Sequence, residues 1–591
     1  MKIFKSPKTA IRALIALIFA SVSIAMNAQS VVNLSGRVTD EAGEPLPGVS
    51  LLIKGTSIGA ATDIDGNFSI KVPAPIAEKV LTVAYVGYAP QSLTLKSDQP
   101  LSIVMKEDSQ NLNEVVVVGY GTQKKVNLTG SVSSISESQL ADLPITSTSQ
   151  AIAGLVTGAS VISNSGRPGA GASIKIRGTG TFSSAGNSPL ILIDGLAAGS
   201  IDDIDPSDIK SISFLKDAAS ASIYGNRAAN GVILVETKRG SKGKASVSYS
   251  ANFGWQTASE LPEFLESADY ATYYNMAMEN MGRQPAYSAD QIQKFRDGSD
   301  PDNYPNVNHL KWLLNTGSGF QQQHNVGVSG GTERTTYHAS IGYRKQAGLT
   351  AKTYNERMTA TLSLQTKLSD KVSLDLNING YHNRYDAPQG SGSIDAIIGY
   401  AVREGPIFAG RKSDGSFGYQ DDYSPEAWLN SLCFVKNESN NFYGSALLTW
   451  DTPLKGLSVK GKMGGQFYTY YNKSYMAETY FDETKTKGPQ SLNIESGNTT
   501  YTDLEAYLNY VNSFGRHEVN ILAGTSVEQS ANKGLNGSRK TFPNNYLYEL
   551  VSGDPMSAAN NSWLGEYALA SFFGRVNYNF DERYLCLLYT S

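Results

Sequence analysis

Reactive side chains are scarce in this chain, and their spacing supports neither catalysis nor metal binding. The five histidines, His309, His324, His338, His382 and His517, never recur at the roughly three-to-five-residue spacing of a metal pair. Cys433 and Cys586 are the two cysteines, too few for a disulfide framework or a thiolate metal site. No Ser/His/Asp set or paired-carboxylate constellation stands out. Asp63 and Asp65, in Thr62-Asp63-Ile64-Asp65-Gly66-Asn67-Phe68, could begin a calcium loop. Such a loop continues with a third oxygen ligand and a distant Glu, whereas Gly66 and Asn67 lead into a strand, as in a hairpin turn. Gly178-Thr179-Gly180 lacks the third glycine and the following helix of a dinucleotide loop. Tyr468, Tyr470 and Tyr471 could stack on sugars, but tyrosines at strand ends also form the girdle of a membrane barrel, and the girdle is the expectation. The chain therefore reads as a non-enzyme without cofactor or metal.

Main-chain chemistry is another matter. Glu114-Val115-Val116-Val117-Val118-Gly119-Tyr120 sets four valines in a row. Their β-branched side chains stiffen an extended backbone, whose open N–H and C=O groups a partner's sheet edge can capture as an added strand. The competing reading is a strand that closes the domain before it.

Charge and hydropathy bound the rest. A net charge of −4 lacks the basic face of a nucleic-acid binder. A mean hydropathy of −0.26 excludes a bundle of membrane helices but not a transmembrane β-barrel, whose lumen positions are polar. Lys2, Lys5, Lys8 and Arg12 precede the apolar run Ala13 to Ala25, the pattern of a signal peptide over 1–28. Cleavage is expected between Ala28 and Gln29, although Met26 departs from the small-residue rule. The run is too short to anchor in a bilayer, and no cysteine near it marks a lipoprotein, so the mature chain is expected to be exported.

Three further segments differ in pattern. From Asn33 to about Lys106, short strands (Val31 to Val38, Val49 to Lys54, Asn67 to Val72, Lys79 to Tyr85, Ser102 to Met105) alternate with Gly, Pro and Asp, as in a small β-sandwich. From Leu128 to Gly240 the pattern is α/β. A short helix is expected at Ser149 to Leu155, with strands ending at Arg177-Gly178 and Asp194-Gly195. Strands Ile209 to Leu215 and Gly231 to Thr237 flank a helical Ala218 to Tyr224. Beyond Ala245 the chain turns into long strands of dyad alternation. Met358, Ala360, Leu362 and Leu364 alternate with Thr359, Thr361, Ser363 and Gln365; Val372, Leu374, Leu376 and Ile378 with Ser373, Asp375, Asn377 and Asn379. One apolar and one polar face sustained over about ten residues is the pattern of a transmembrane barrel strand.

The connections agree. Gly331-Thr332-Glu333, Ser369-Asp370, Thr452 to Lys455, Ser513-Phe514-Gly515 and Asp581-Glu582 are tight turns. Between them run Thr257 to Phe320, Asp386 to Asn440, Ser474 to Thr499 and Ser530 to Trp563, with only Gln346 to Thr353 short. Short turns alternating with long loops sort the two sides of an outer-membrane barrel, and a soluble sandwich has no reason to do so.

Against this background, Ser220-Ala221-Ser222-Ile223-Tyr224-Gly225-Asn226-Arg227-Ala228-Ala229-Asn230-Gly231-Val232-Ile233 closely resembles the end of the plug domain in SusC-like (SusC/RagA) TonB-dependent outer-membrane transporters. Gly36-Arg37-Val38-Thr39-Asp40 and Pro45-Leu46-Pro47-Gly48-Val49 resemble a carboxypeptidase-regulatory-like domain. The resemblance implies a mainly β chain: signal peptide 1–28, regulatory-like β-sandwich 29–108, TonB box and linker 109–121, α/β plug 122–242, and over 243–591 the first half of a twenty-two-stranded transmembrane β-barrel. It marks Arg177, Gly178, Asp194, Gly195, Tyr224, Gly225, Arg227, Asn230 and Gly231 as plug motif, and Glu114 to Tyr120 as the strand that TonB grips. It implies proton-motive import of oligosaccharides or peptides with TonB, ExbB, ExbD and a SusD-like surface lipoprotein. The alternative is a receptor that mainly signals to an anti-sigma factor, which the regulatory-like domain type disfavours.

About eleven barrel strands are countable. A half barrel would expose on the order of ten backbone groups per edge to lipid, at several kcal/mol each, so the chain is expected to be incomplete. Cys586-Leu587-Leu588-Tyr589-Thr590-Ser591 matches one reading frame of a transposon-end sequencing adapter and is expected to be non-native.

Overall fold

A computed structural model describes residues 31–590 apart from 41–42, 54–55, 57, 75, 77–78, 86–87, 89–90, 96–98, 107–114, 119–120, 125–130, 142–146, 181–186, 391 and 582. The expected signal peptide with Ala28 and Gln29, and Glu114, Gly119 and Tyr120, lie outside the described residues. Two compact units result, divided near residues 115–126.

The first unit is a two-layer β structure. Val31–Thr39 pairs antiparallel with Asn67–Pro73 and parallel with Leu101–Val104. A second sheet runs in the order Gly59–Ala61, Ser50–Ile53, Val80–Ala84, Gln91–Thr94. Alternate residues point inward, so Leu34, Val38, Leu51, Ile53, Phe68, Ile70, Leu81 and Val83 form one buried core. The short strands Gly59–Ala61 and Gln91–Thr94 were not legible in sequence, because they carry almost no apolar alternation. Asp63 accepts hydrogen bonds on one carboxylate oxygen from the N–H groups of Asp65 (3.0 Å) and Asn67 (2.8 Å), which is turn chemistry. Expressed alone, this unit is expected to give a β-sheet circular-dichroism spectrum and no peptidase activity. A coil spectrum, or peptide hydrolysis, would contradict that.

In the second unit an eleven-stranded antiparallel sheet runs in sequence order from Gly243–Trp255 to Tyr584–Thr590. Register places Leu374, Leu448, Gly461, Ala506, Thr525 and Phe572 in one row across neighbouring strands, and Leu376, Ala446, Met463, Leu504, Val527 and Ala570 in the next. Met463, Leu504, Ile341 and Phe572 of this face are exposed, so an apolar belt covers the outside. The opposite face is polar and packs against an α/β body.

Several strands outrun the sequence expectation. Ser491–Phe514 and His517–Lys540 each hold 24 residues, where Ser474 to Thr499 and much of Ser530 to Trp563 read as loop. At ~3.3 Å per residue and a tilt near 40°, such a strand rises roughly 60 Å, well over an apolar belt of about 25 Å. Dyad alternation is imposed by lipid and stops where lipid stops, whereas backbone pairing continues.

The remaining long connections fold together. Leu310, Leu313, Ile394, Ile397, Trp428, Phe481 and Phe542 come from four loops and share one buried core with Tyr475. Within it His309 Nδ1 lies 3.4 Å from Glu404, both buried. Burial pushes the Glu404 carboxyl up to about 9 and the His309 imidazole down to about 4, so both are neutral at pH 7. A cysteine replacing exposed Ser299, on this loop side, is expected to react with an impermeant thiol reagent on intact cells. One replacing Thr332, in a tight turn, is not expected to react. The reverse pattern would overturn the orientation.

The α/β body has a five-stranded sheet in the order Val132–Ser136, Ile209–Leu215, Val232–Thr237, Leu190–Ile193, Leu196–Ala198. Ala159–Ile162 and Ser173–Ile176 form a separate hairpin. The helix expected at Ser149 to Leu155 is shorter, Thr148–Ala151, and Ala218–Ala221 continues as 3-10 turns over Ser222–Ala228. Its core takes in Tyr443 and Tyr501 from the large sheet, so the body and the sheet share buried surface.

Candidate functional site

The candidate site is the interface between the α/β body and the inner face of the large sheet. Asp194 and Gly195 both have positive φ, 47° and 78°, and form a two-residue hairpin turn between Leu190–Ile193 and Leu196–Ala198. Thr237 donates to Asp194 through its N–H (3.1 Å) and hydroxyl (2.7 Å). Burial raises the Asp194 carboxyl above its ordinary range, against the pull of those two hydrogen bonds. The Gly195 carbonyl accepts from Lys462, whose ammonium also reaches Asp503 (3.1 Å) and Glu505 (3.3 Å) on the neighbouring strand. The turn is thereby fastened to the wall.

A second fastening lies at the 3-10 turns. The Arg227 guanidinium donates to both oxygens of Glu528 at 2.6 and 2.7 Å, a bidentate pair with the carboxylate buried. Beside it Ile223 packs against Tyr507, Leu522 and Phe573 of the wall, with Tyr224 against the same cluster. Gly231 has φ 86°, and a Cβ there would stand 2.9 Å from the Leu215 carbonyl oxygen, so only glycine fits. Arg177 and Gly178 share positive φ at an exposed turn, and the Asn230 amide faces the Ser188 carbonyl at 3.5 Å.

A third fastening is the acidic segment Ser200 to Asp208. Asp202 accepts from the Ser147 hydroxyl, and from the Ser149 N–H and hydroxyl, which ties it to the Thr148–Ala151 helix. Its neighbours turn to the wall: Gln323 donates to Asp205 at 3.2 Å, Thr361 to Asp208 at 3.1 Å, and Arg357 to the Asp203 carbonyl at 2.9 Å. Burial raises the Asp203 carboxyl to about 6, opposed by the Arg357 charge. Because that value lies above the unfolded one, this group favours the folded state more as pH falls through about 6.

These wall residues were not singled out in the sequence. The available signal was a charged residue in the polar phase of an apolar strand, as at Lys462, Asp503 and Glu528. Among the expected motif residues, the fold brings Gly195, Tyr224 and Arg227 to the wall and leaves Arg177 exposed. Tyr471 points outward as a girdle residue would, but Tyr468 and Tyr470 fall on the inner face with ring centroids 6.0 Å apart, which corrects the girdle assignment for those two. Register decides the face, and each residue step reverses it. No group of three metal-ligating side chains occurs among the described residues.

Val115–Val118 is a strand in a two-stranded sheet with Gly121–Lys124, outside both sheets of the first unit. The edge strand Val132–Ser136 follows it, held by Ile209–Leu215 and by Lys216, which donates to the Ser133 hydroxyl at 2.7 Å.

Comparison with known proteins places this geometry. Residues 124–232 match the TonB-dependent receptor plug domain, and residues 34–117 a CarboxypepD_reg-like domain. TonB-dependent receptor P3 of Formosa agariphila is 31% identical over 94% of this chain and 53% of its own length. TonB-dependent receptor SusC of Bacteroides thetaiotaomicron is 30% identical over 94% of this chain and 55% of its own. The chain thus spans about half the length of the curated relatives it matches. In a solved structure of the RagAB peptide importer in its open-open state, one chain shares the fold with a TM-score of 0.66 at 24% identity, covering 79% of this chain and 55% of that one. Domain matches, relatives and fold together identify a SusC-like TonB-dependent receptor of the outer membrane, a family of receptors and transporters, not enzymes.

Proposed function

We propose that the full-length protein imports oligosaccharides or peptides across the outer membrane, driven by TonB with ExbB and ExbD. A SusD-like lipoprotein covers its outer face. In this reading 29–108 is the regulatory-like domain, 109–121 the TonB box and linker, 122–242 the plug and 243–591 barrel wall, with Glu114 to Tyr120 as the strand that TonB pairs with.

The hydrogen bonds and ion pairs that join the plug to the wall, beside smaller apolar contacts at Ile223 and at Tyr443 and Tyr501, carry the proposal. Arg227–Glu528, Lys462 with Gly195, and Gln323, Thr361 and Arg357 on the acidic segment are hydrogen bonds that water can replace one at a time. An apolar interface would resist such exchange, because separating it exposes its whole area to water at once. A plug held by exchangeable contacts, and led by an edge strand, suits a gate that is pulled aside and returns. Uptake of labelled oligosaccharides and peptides by cells with and without TonB tests it: uptake is expected only when TonB is present. Equal uptake in cells lacking TonB would overturn the energised reading.

A further inference from the structure

On the outer face of the wall, in the apolar belt, lies a depression of about 480 Å³ that the plug does not touch. Its floor is Gly461 with Ala446 and Ala506, and Leu374, Leu448, Met463, Leu504 and Val527 stand around it. Register explains the shape. Gly461 lies between Leu448 and Ala506 in one row, with Ala446, Met463 and Leu504 in the next, so small residues on three adjacent strands coincide.

Gly461 is not required by its backbone or by crowding. It has no positive φ, and a Cβ built there meets nothing within 4 Å. Gly464, three residues on, differs: its Cβ would stand 2.6 Å from Leu196 of the plug. The glycine at 461 therefore leaves open space on the lipid side. In a bilayer core that space is filled by hydrocarbon, because an empty apolar gap forfeits dispersion contacts and water finds no partners there.

The charge below the depression says which lipid fills it. Lys371 and Lys455 sit exposed in the two tight turns at its periplasmic end, and neither is ion-paired among the described residues. Asp370 faces Arg334 at 4.0 Å, and Asp581 faces Arg516 at 3.7 Å, leaving Asp451 as the nearby acid that the two lysines outnumber. From Leu457 to Gly461 is about 13 Å along the strand, the reach of the upper half of an acyl chain from its headgroup. Trp450, half-exposed, marks the interface between the two levels.

We propose that this depression is a binding site for one phospholipid of the periplasmic leaflet, its acyl chain on Gly461, Ala446 and Ala506 and its phosphate at Lys371 and Lys455. The site does not depend on the import reading. It requires only that the sheet stands in the outer membrane with its tight turns on the periplasmic side.

Native mass spectrometry of the full-length protein, released from vesicles of phosphatidylethanolamine and phosphatidylglycerol, tests it. Wild type, and Ala360→Leu on a distant part of the same face, are expected to retain a phospholipid. Gly461→Leu and Ala506→Leu each fill the depression with the equivalent of about two methylenes or more, and retention should fall roughly tenfold. Lys371→Glu combined with Lys455→Glu should lower retention of phosphatidylglycerol more than that of phosphatidylethanolamine. Insertion of each variant is checked by heat-modifiable gel mobility, and either groove variant alone suffices. Unchanged retention in an inserted groove variant, equal loss in Ala360→Leu, or charge reversal without effect would overturn the site.

Discussion

Replacing Val117 by proline in the full-length protein is expected to reduce cargo uptake to the level of cells lacking TonB, while cargo still binds at the cell surface. Val115–Val118 is extended in the structure, with four β-branched residues that hold it so. A partner that adds this strand to its own sheet needs the N–H at every second position. Proline removes the Val117 N–H and locks φ near −65° in the middle of the run, so the segment can no longer extend as a ladder strand. The substitution lies well before the plug strands, so the outer face is untouched. Val117→Thr keeps the N–H and the β-branch and should retain uptake. Wild-type uptake by Val117→Pro would remove this segment as the site of energy transfer. Loss of both uptake and surface binding would indicate a misassembled protein, which the Val117→Thr control detects.

The second large effect is expected at Arg227. Arg227→Ala leaves the Glu528 carboxylate buried and without its bidentate partner, a change of about 3 kcal/mol, or roughly a hundredfold, in the balance between docked and released plug. Hydrogen exchange of the full-length protein should accelerate over Ser222–Ala228 and over the wall strand around Glu528, with the first unit unchanged. Combining Arg227→Met with Glu528→Leu removes both charges and should recover most of the protection, because the cost lies in the carboxylate left buried without its guanidinium and not in the missing attraction. No acceleration in Arg227→Ala would show that the pair contributes nothing to docking.

Much of the architecture was legible because lipid imposes a simple rule. Wherever a strand crosses the belt its outward positions must be apolar, so the alternation at Met358 to Leu364 and Val372 to Ile378 marked strands directly. Above the belt that constraint ends. The polar stretches of Ser491–Phe514 and His517–Lys540 read as loops and are paired strand. The Asp194-Gly195 turn was legible as a strand end, since an Asp-Gly pair takes positive φ at little cost. That it would hang from Lys462 was not.

What the sequence determined by itself was the kind of protein: a strand-prone valine run, a glycine-punctuated plug motif and a dyad-patterned wall are local properties, each written within about twenty residues. What only the tertiary structure decided was which side chains meet. Arg227 and Glu528 are 301 positions apart, and Gly195 and Lys462 are 267 apart. No local propensity links such pairs; they are set by the register of each strand on its neighbour and by how the plug sits against the wall. The same register turned Tyr468 and Tyr470 inward and Tyr471 outward, and aligned Ala446, Gly461 and Ala506 into one depression. A one-residue slip would have reversed every one of those faces, and nothing along the chain records it, because register is fixed by pairing between strands and not within them.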